Sequence, residues 1–209
     1  MTQADEPELV KHSGKMPGEK RKAQILSAAT KLFARAGYTG TSLRDVAEEC
    51  GMTKAALYYH FADKETLLRA VVEYRMSMLN KVIDAALADI PEDQPMQRIR
   101  AFVRASGRHI DNDRAGWVVG ARIFWSIDAL ADRDAVIPLR DQYEGRLRAE
   151  IDKAIAAGEL VDQDSGMISR LILSWVNYTP RWHKPEGPLS VEDVVDQFLD
   201  VTLAGLRPR

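Results

Sequence analysis

Thr41-Ser42-Leu43-Arg44-Asp45-Val46-Ala47-Glu48-Glu49-Cys50-Gly51-Met52-Thr53-Lys54-Ala55-Ala56-Leu57-Tyr58-Tyr59-His60-Phe61 is the stretch that decides the fold of this 209-residue chain. Leu43, Val46, Ala47 and Cys50 recur at the spacing of one helix face, and a hydroxyl at Thr41 or Ser42 can cap the start. Gly51 ends that short helix as a left-handed cap would. Thr53 can cap a second one, from Lys54 to about His60, with Leu57 and Phe61 pointing inward. Two short helices joined by a glycine turn form a unit in which the first crosses a phosphate backbone and holds the second in the major groove.

Upstream, Ile25, Ala29, Leu32, Phe33 and Ala36 recur at spacings of three and four, and Gly37 closes the run, so a longer amphipathic helix is expected from Lys20. Residues 1–17 are polar and broken by Gly14 and Pro17, which reads as a flexible arm. Downstream, Asp63 can cap a long helix running through Leu67, Val71, Tyr74, Met78, Val82 and Ala85 and ending before Pro91. Amphipathic stretches follow at about 95–110, 114–130, 133–157 and 164–180, with Pro138 expected in an early turn or kink. A proline-rich connection from Pro180 to Pro188 leads to Ser190, where Ser190-Val191-Glu192-Asp193 starts a last helix that reaches about Gly205. There is no alternating strand pattern and no internal repeat. The expected fold is all-α, about nine helices, divided into the arm (1–17), a three-helix head (18–63) and a helical body (64–209).

Charge supports a nucleic-acid role for the head alone. The chain as a whole carries -2, yet Lys11 to Lys64 holds seven Lys and three Arg against two Asp and three Glu, a surplus of five positive charges. The one cysteine, Cys50, rules out an intramolecular disulfide and a Cys-rich metal site. No run approaches the roughly 18 apolar residues of a membrane span, and the N-terminus lacks an apolar signal core, so a cytoplasmic protein without a membrane partner is expected. No cofactor motif is present, and none is expected.

With Leu57-Tyr58-Tyr59-His60-Phe61 and Asp63-Lys64-Glu65-Thr66-Leu67-Leu68 added to the opening stretch, residues 20 to 70 resemble the head of the TetR family of transcriptional regulators. The resemblance implies a homodimeric DNA-binding repressor, not an enzyme, with a ligand-binding body. It implies phosphate contacts from Ser42 and Arg44, Arg44 also reaching toward a base. Thr53, Lys54, Ala55 and Tyr58 become the groove-facing candidates, and Tyr59, His60 and Lys64 would hold the backbone. Ala55 and Ala56 offer little hydrogen bonding, which leaves part of the specificity to thymine methyls and DNA shape. A two-fold dimer would place its recognition helices on a near-palindromic operator, half-sites roughly 10 bp or a little more apart.

The body is rich in large amphipathic side chains. Trp117, Phe124, Trp125, Tyr143, Trp175, Tyr178 and Trp182, with Arg122, Arg146, Asn177 and His183 nearby, can line an apolar cavity with a few polar handles, and serve equally well as core. The segment Trp175 to Ser190 is similar to that of TetR members that regulate lipid and sterol catabolism and answer to acyl-coenzyme A thioesters. That implies an acyl group in the cavity and phosphates met at its mouth by Arg122, Arg146, Arg181 or Lys184. The apolar faces of the last two helices, Ile168, Leu171, Ile172 and Trp175 on one and Val194, Val195, Phe198, Leu199 and Leu203 on the other, are too large for lone surface helices, and the family resemblance implies that they form the dimer face. Two other readings compete. One is a metal-dependent enzyme using His109, Asp111 and Asp113, which helix capping explains as well; the other is a DNA-binding protein that answers to no ligand.

Overall fold

The computed structural model describes residues 18–114, 116–119 and 133–208. Among these are eight helices: α1 (Gly18–Ala36), α2 (Leu43–Glu49), α3 (Lys54–His60), α4 (Lys64–Leu87), α5 (Pro95–Asn112), α6 (Arg133–Ala156), α7 (Ser165–Trp182) and α8 (Val191–Leu206). Residues 116–119 are helical as well, which accords with the all-α reading of about nine helices. The expected arm at 1–17 lies outside the described residues.

Local chemistry sets the boundaries. Ser42, Thr53, Asp63 and Ser190 each accept a backbone N–H at the start of α2, α3, α4 and α8, and Ser42 and Ser190 complete capping boxes with Asp45 and Asp193. Of the two hydroxyls that could have capped α2, Ser42 does so. Thr41 is buried and its Oγ1 donates to the Gly37 carbonyl at 2.8 Å, closing the α1–α2 turn. Gly51, at φ +61°, makes the left-handed step between α2 and α3.

Pro138 lies inside α6, toward the start of the helix where an early turn or kink is expected. One departure from expectation concerns a proline. Pro180, expected to open a connection, lies inside α7, which continues to Trp182. The last turn survives because the His183 N–H still reaches the Thr179 carbonyl at 3.0 Å.

A second departure is the inward face of α4. Its buried residues are Leu67, Leu68, Val71, Arg75, Leu79, Ile83 and Leu87, whereas Tyr74 is 39% exposed. Steps of four from Val71 carry the stripe onto Arg75, a position that an apolar template skips.

Two hydrophobic cores result. The head core gathers Ile25, Ala29, Phe33, Val46, Leu57 and Phe61, takes in Leu67, Leu68 and Val71 of α4, and receives Val119 from the turn after α5. The body core is built around α5, which packs on α4, α6 and α8; Phe102 stacks on Tyr143 with ring centroids 5.2 Å apart. The division between the two cores falls within α4, between Val71 and Leu79. Along α5 and α8, Arg100, Arg104 and Arg108 alternate in ion pairs with Glu192, Asp196 and Asp200.

Candidate nucleic-acid interface

The head presents one polar surface. Behind it, Leu57 (0% exposed) and Phe61 (3%) pin α3 to the core. In front, Ser42, Arg44, Thr53, Lys54, Ala55, Tyr58 and Tyr59 are exposed, and His60 and Lys64 are half-buried. All nine sequence candidates thus lie on α2, α3 and the start of α4. Tyr59, at 89% exposure, has no packing role that would explain a large aromatic there.

Several of these side chains are held before any ligand arrives. Arg44 pairs with Glu48 one turn on, at 2.8 Å, in open solvent; such a pair is weak and yields readily to phosphate. Asp45 accepts from the Ser42 N–H at 2.7 Å and from its hydroxyl at 2.8 Å, and these bonds hold its carboxyl below the usual range. The Lys54 ammonium rests 5.5 Å from the Tyr58 ring centroid, and the Tyr59 and His60 rings meet edge to face.

Lys64 is engaged within the head itself. Its ammonium donates to the carbonyls of Tyr38 at 2.9 Å and Thr41 at 3.0 Å, and sits 4.2 Å from the Tyr38 ring centroid. It binds the start of α4 to the α1–α2 turn that carries Ser42.

The described members of the expected effector set occupy different parts of the body. Arg122, Phe124 and Trp125 lie outside the described residues. Tyr143 is core: burial pushes its phenol up to about 12, and its hydroxyl pairs with Ser106 Oγ at 2.9 Å. Arg146 is engaged by Asn80 at 2.8 Å and Asp84 at 2.5 Å on α4. Trp117 is half-buried, edge-on to His109, with its indole N–H toward the Asn177 carbonyl.

Trp175, Tyr178 and Trp182 lie elsewhere, on the outer stripe of α7 with Met167 and Leu171. Met167 (63%), Leu171 (54%), Tyr178 (56%) and Trp182 (46%) are exposed, and Trp175 and Trp182 both meet Phe198 of α8. The Trp175 indole N–H is buried and finds no acceptor among the described residues. This corrects the expected dimer face: Ile168, Ile172, Val195, Leu199 and Leu203 point into the body core, Val194 is buried as well, and the outward apolar residues are the stripe just named with Phe198 and Val201.

His109, Asp111 and Asp113 do not share a centre. Asp111 accepts the Val191 N–H at 3.1 Å, Asp113 pairs with Arg75, and His109 is buried, its imidazole pKa lowered by that burial and by nearby Arg75. Among the described residues no group of His, Cys, Asp and Glu is arranged to hold a metal. Arg75 itself was missed by sequence reasoning; an arginine in phase with Val71 and Leu79 was the available clue.

A capped two-helix unit with an exposed basic and aromatic face, on an all-helical body, defines a helix-turn-helix DNA-binding regulator. Residues 25–71 match the bacterial regulatory proteins of the tetR family, and residues 92–206 match the tetracyclin repressor-like C-terminal domain. The chain belongs to the TetR family of transcriptional regulators. It is 27% identical over 192 residues to the HTH-type transcriptional repressor KstR2 of Mycolicibacterium smegmatis, across 89% of this chain and 90% of that one. The TetR family regulator PfmR of Thermus thermophilus superposes with a TM-score of 0.74 at 32% identity, over 88% and 99% of the two chains. AibR, solved with isovaleryl coenzyme A and operator DNA, superposes with a TM-score of 0.74 at 28% identity, over 90% and 98%. No helix among the described residues is long and apolar enough to cross a membrane.

Proposed function

We propose that this regulator is a cytoplasmic homodimeric repressor that occupies a near-palindromic operator and leaves it when an acyl-coenzyme A thioester binds the body. The observation that carries the DNA half is the exposed face of α3 beside the Ser42 cap, held from behind by Leu57 and Phe61. In this reading Ser42, Arg44, Tyr59 and His60 meet phosphates, Thr53, Lys54, Ala55 and Tyr58 enter the groove, and Lys64 braces the turn from which Ser42 projects.

The dimer half rests on the outer stripe of α7 and α8, where Leu171, Tyr178, Trp182, Phe198 and Val201 are large apolar or aromatic side chains left exposed, as at a subunit interface. A second copy covers it. For the effector, the support is AibR, a similar protein solved with both an acyl-coenzyme A and its operator. Trp117, half-buried at the start of the helical turn after α5, belongs to the wall of the effector cavity. Tyr143 and Arg146 serve the body's packing.

Selection of bound duplexes from a random pool, followed by anisotropy titration with isovaleryl-coenzyme A and longer acyl thioesters, tests this. A near-palindrome bound with a Kd on the order of 10⁻⁸ M or tighter, and weakened about 5- to 150-fold by one of the thioesters, is expected. Failure of any sequence to enrich overturns the DNA reading; an enriched site indifferent to every acyl thioester overturns the effector.

A further inference from the structure

Three residues at the end of α5, Asp111, Asp113 and Arg114, tie together three helices that are otherwise distant in sequence. Asp111 Oδ2 accepts the Val191 N–H at the start of α8 at 3.1 Å. Asp113 Oδ1 accepts the Gly116 N–H at 3.1 Å, which starts the next helical turn, while Oδ2 accepts from Arg75 Nη1 of α4 at 2.5 Å. Arg114 donates to the Pro180 carbonyl at 2.9 Å, to the His183 carbonyl, and to His183 Nδ1 at 3.2 Å, capping the end of α7. The turn that follows sends Val119 into the head core and Trp117 against the body core.

Within this corner, the Arg75–Asp113 pair is the contact that reaches α4. Arg75 stands in the buried stripe of α4 with its side chain only 9% exposed. A guanidinium in that position cannot lose its partner cheaply, and unlike an apolar contact it fixes register as well as distance. Its seat depends on Gly116: a Cβ there would overlap the Arg75 guanidinium and crowd the Asp113 carboxylate.

We propose that Arg75 is a positioning residue for operator binding: through Asp113 it locks α4, and with it the head, to the corner that also holds the ends of α7 and α8. The corner thereby sets the separation of the two heads in the dimer. This rests on the dimer proposed above. Helix displacements of about 1–2 Å at such packed contacts are the usual scale of switching motions, and α4 transmits them directly because its first turns belong to the head core.

Pulsed electron spin resonance on the full-length protein tests it, with a spin label at Lys31→Cys on exposed α1 and Cys50→Ala to remove the native thiol. Asp113→Asn retains an oxygen for the Gly116 N–H and removes only the charge of the pair; Gly116→Ala displaces the guanidinium with both charges kept. Each is expected to move or broaden the inter-head distance by about 2 Å and to weaken binding to the selected operator at least about fivefold. Arg75→Met combined with Asp113→Asn should do no more than Arg75→Met alone, because both remove one interaction. Sedimentation separates the levels of failure. A dimer whose Asp113→Asn and Gly116→Ala forms keep the parent distance distribution overturns the role of Arg75 alone, and a monomeric parent protein overturns the dimer with it.

Discussion

Replacing Lys64 with methionine distinguishes a brace from a phosphate ligand. In the structure the ammonium spends two of its three N–H groups on the carbonyls of Tyr38 and Thr41 and lies over the Tyr38 ring. Hydrogen bonds to a charged group contribute about 1.5–3 kcal/mol each, but Lys64 is half-exposed and the released carbonyls regain water, so the net loss is about 2 kcal/mol. That loss falls on the order of the α1–α2 turn and hence on the placement of Ser42, which makes the affinity penalty about 30-fold. Anisotropy titrations across a salt series read both quantities, at a temperature well below the melting point of the variant. For Lys64→Met the affinity should fall for operator and random duplex alike, with an unchanged slope of log affinity against log salt. A lost phosphate contact would instead reduce that slope by about 0.9. Lys54→Ala supplies the contrast, because an exposed side chain on the groove face should alter which sequence is preferred. A slope reduced by one contact in Lys64→Met, at undiminished head stability, refutes the bracing role.

Two further outcomes follow from the same geometry. Val201 is 77% exposed, so Val201→Asp should leave the melting temperature of the isolated subunit nearly unchanged and raise the dimer dissociation constant about 100-fold or more in sedimentation, since the two-fold axis buries the carboxylate twice. The capping carboxylates Asp45, Asp63 and Asp193 are all held below their ordinary pKa, Asp45 first by the Ser42 N–H, Asp63 first by the Thr66 N–H and Asp193 first by the Ser190 hydroxyl. A folded-state pKa below the unfolded one contributes stability above about pH 4 that disappears as pH falls through the folded value. The triple Asp→Asn variant should therefore show a shallower fall in melting temperature on acidification than the parent.

How much was legible in the sequence depended on how far each determinant reaches along the chain. Ser42, Thr53, Asp63 and Ser190 cap helices whose first turns they touch, and Gly37 and Gly51 act within their own turns, so the head and the last helix could be read locally. Arg75 could not, because its burial is justified by Asp113, 38 residues away, and nothing near Arg75 announces that partner. The aromatic residues of the body pose a different problem: core, cavity and dimer face all require apolar stripes, and periodicity does not say what covers a stripe. Side-chain type does carry part of the answer. The inward stripe of α7 is Ile168, Ile172, Val176 and Thr179, compact and branched, as close packing against α6 and α8 demands. The outward stripe is Met167, Leu171, Trp175, Tyr178 and Trp182, large, pliable or amphipathic, able to sit at a boundary before a second subunit covers it. Reading the two stripes by residue class as well as by spacing separates the inward from the outward face of α7, and places Tyr178 and Trp182 on the outward one.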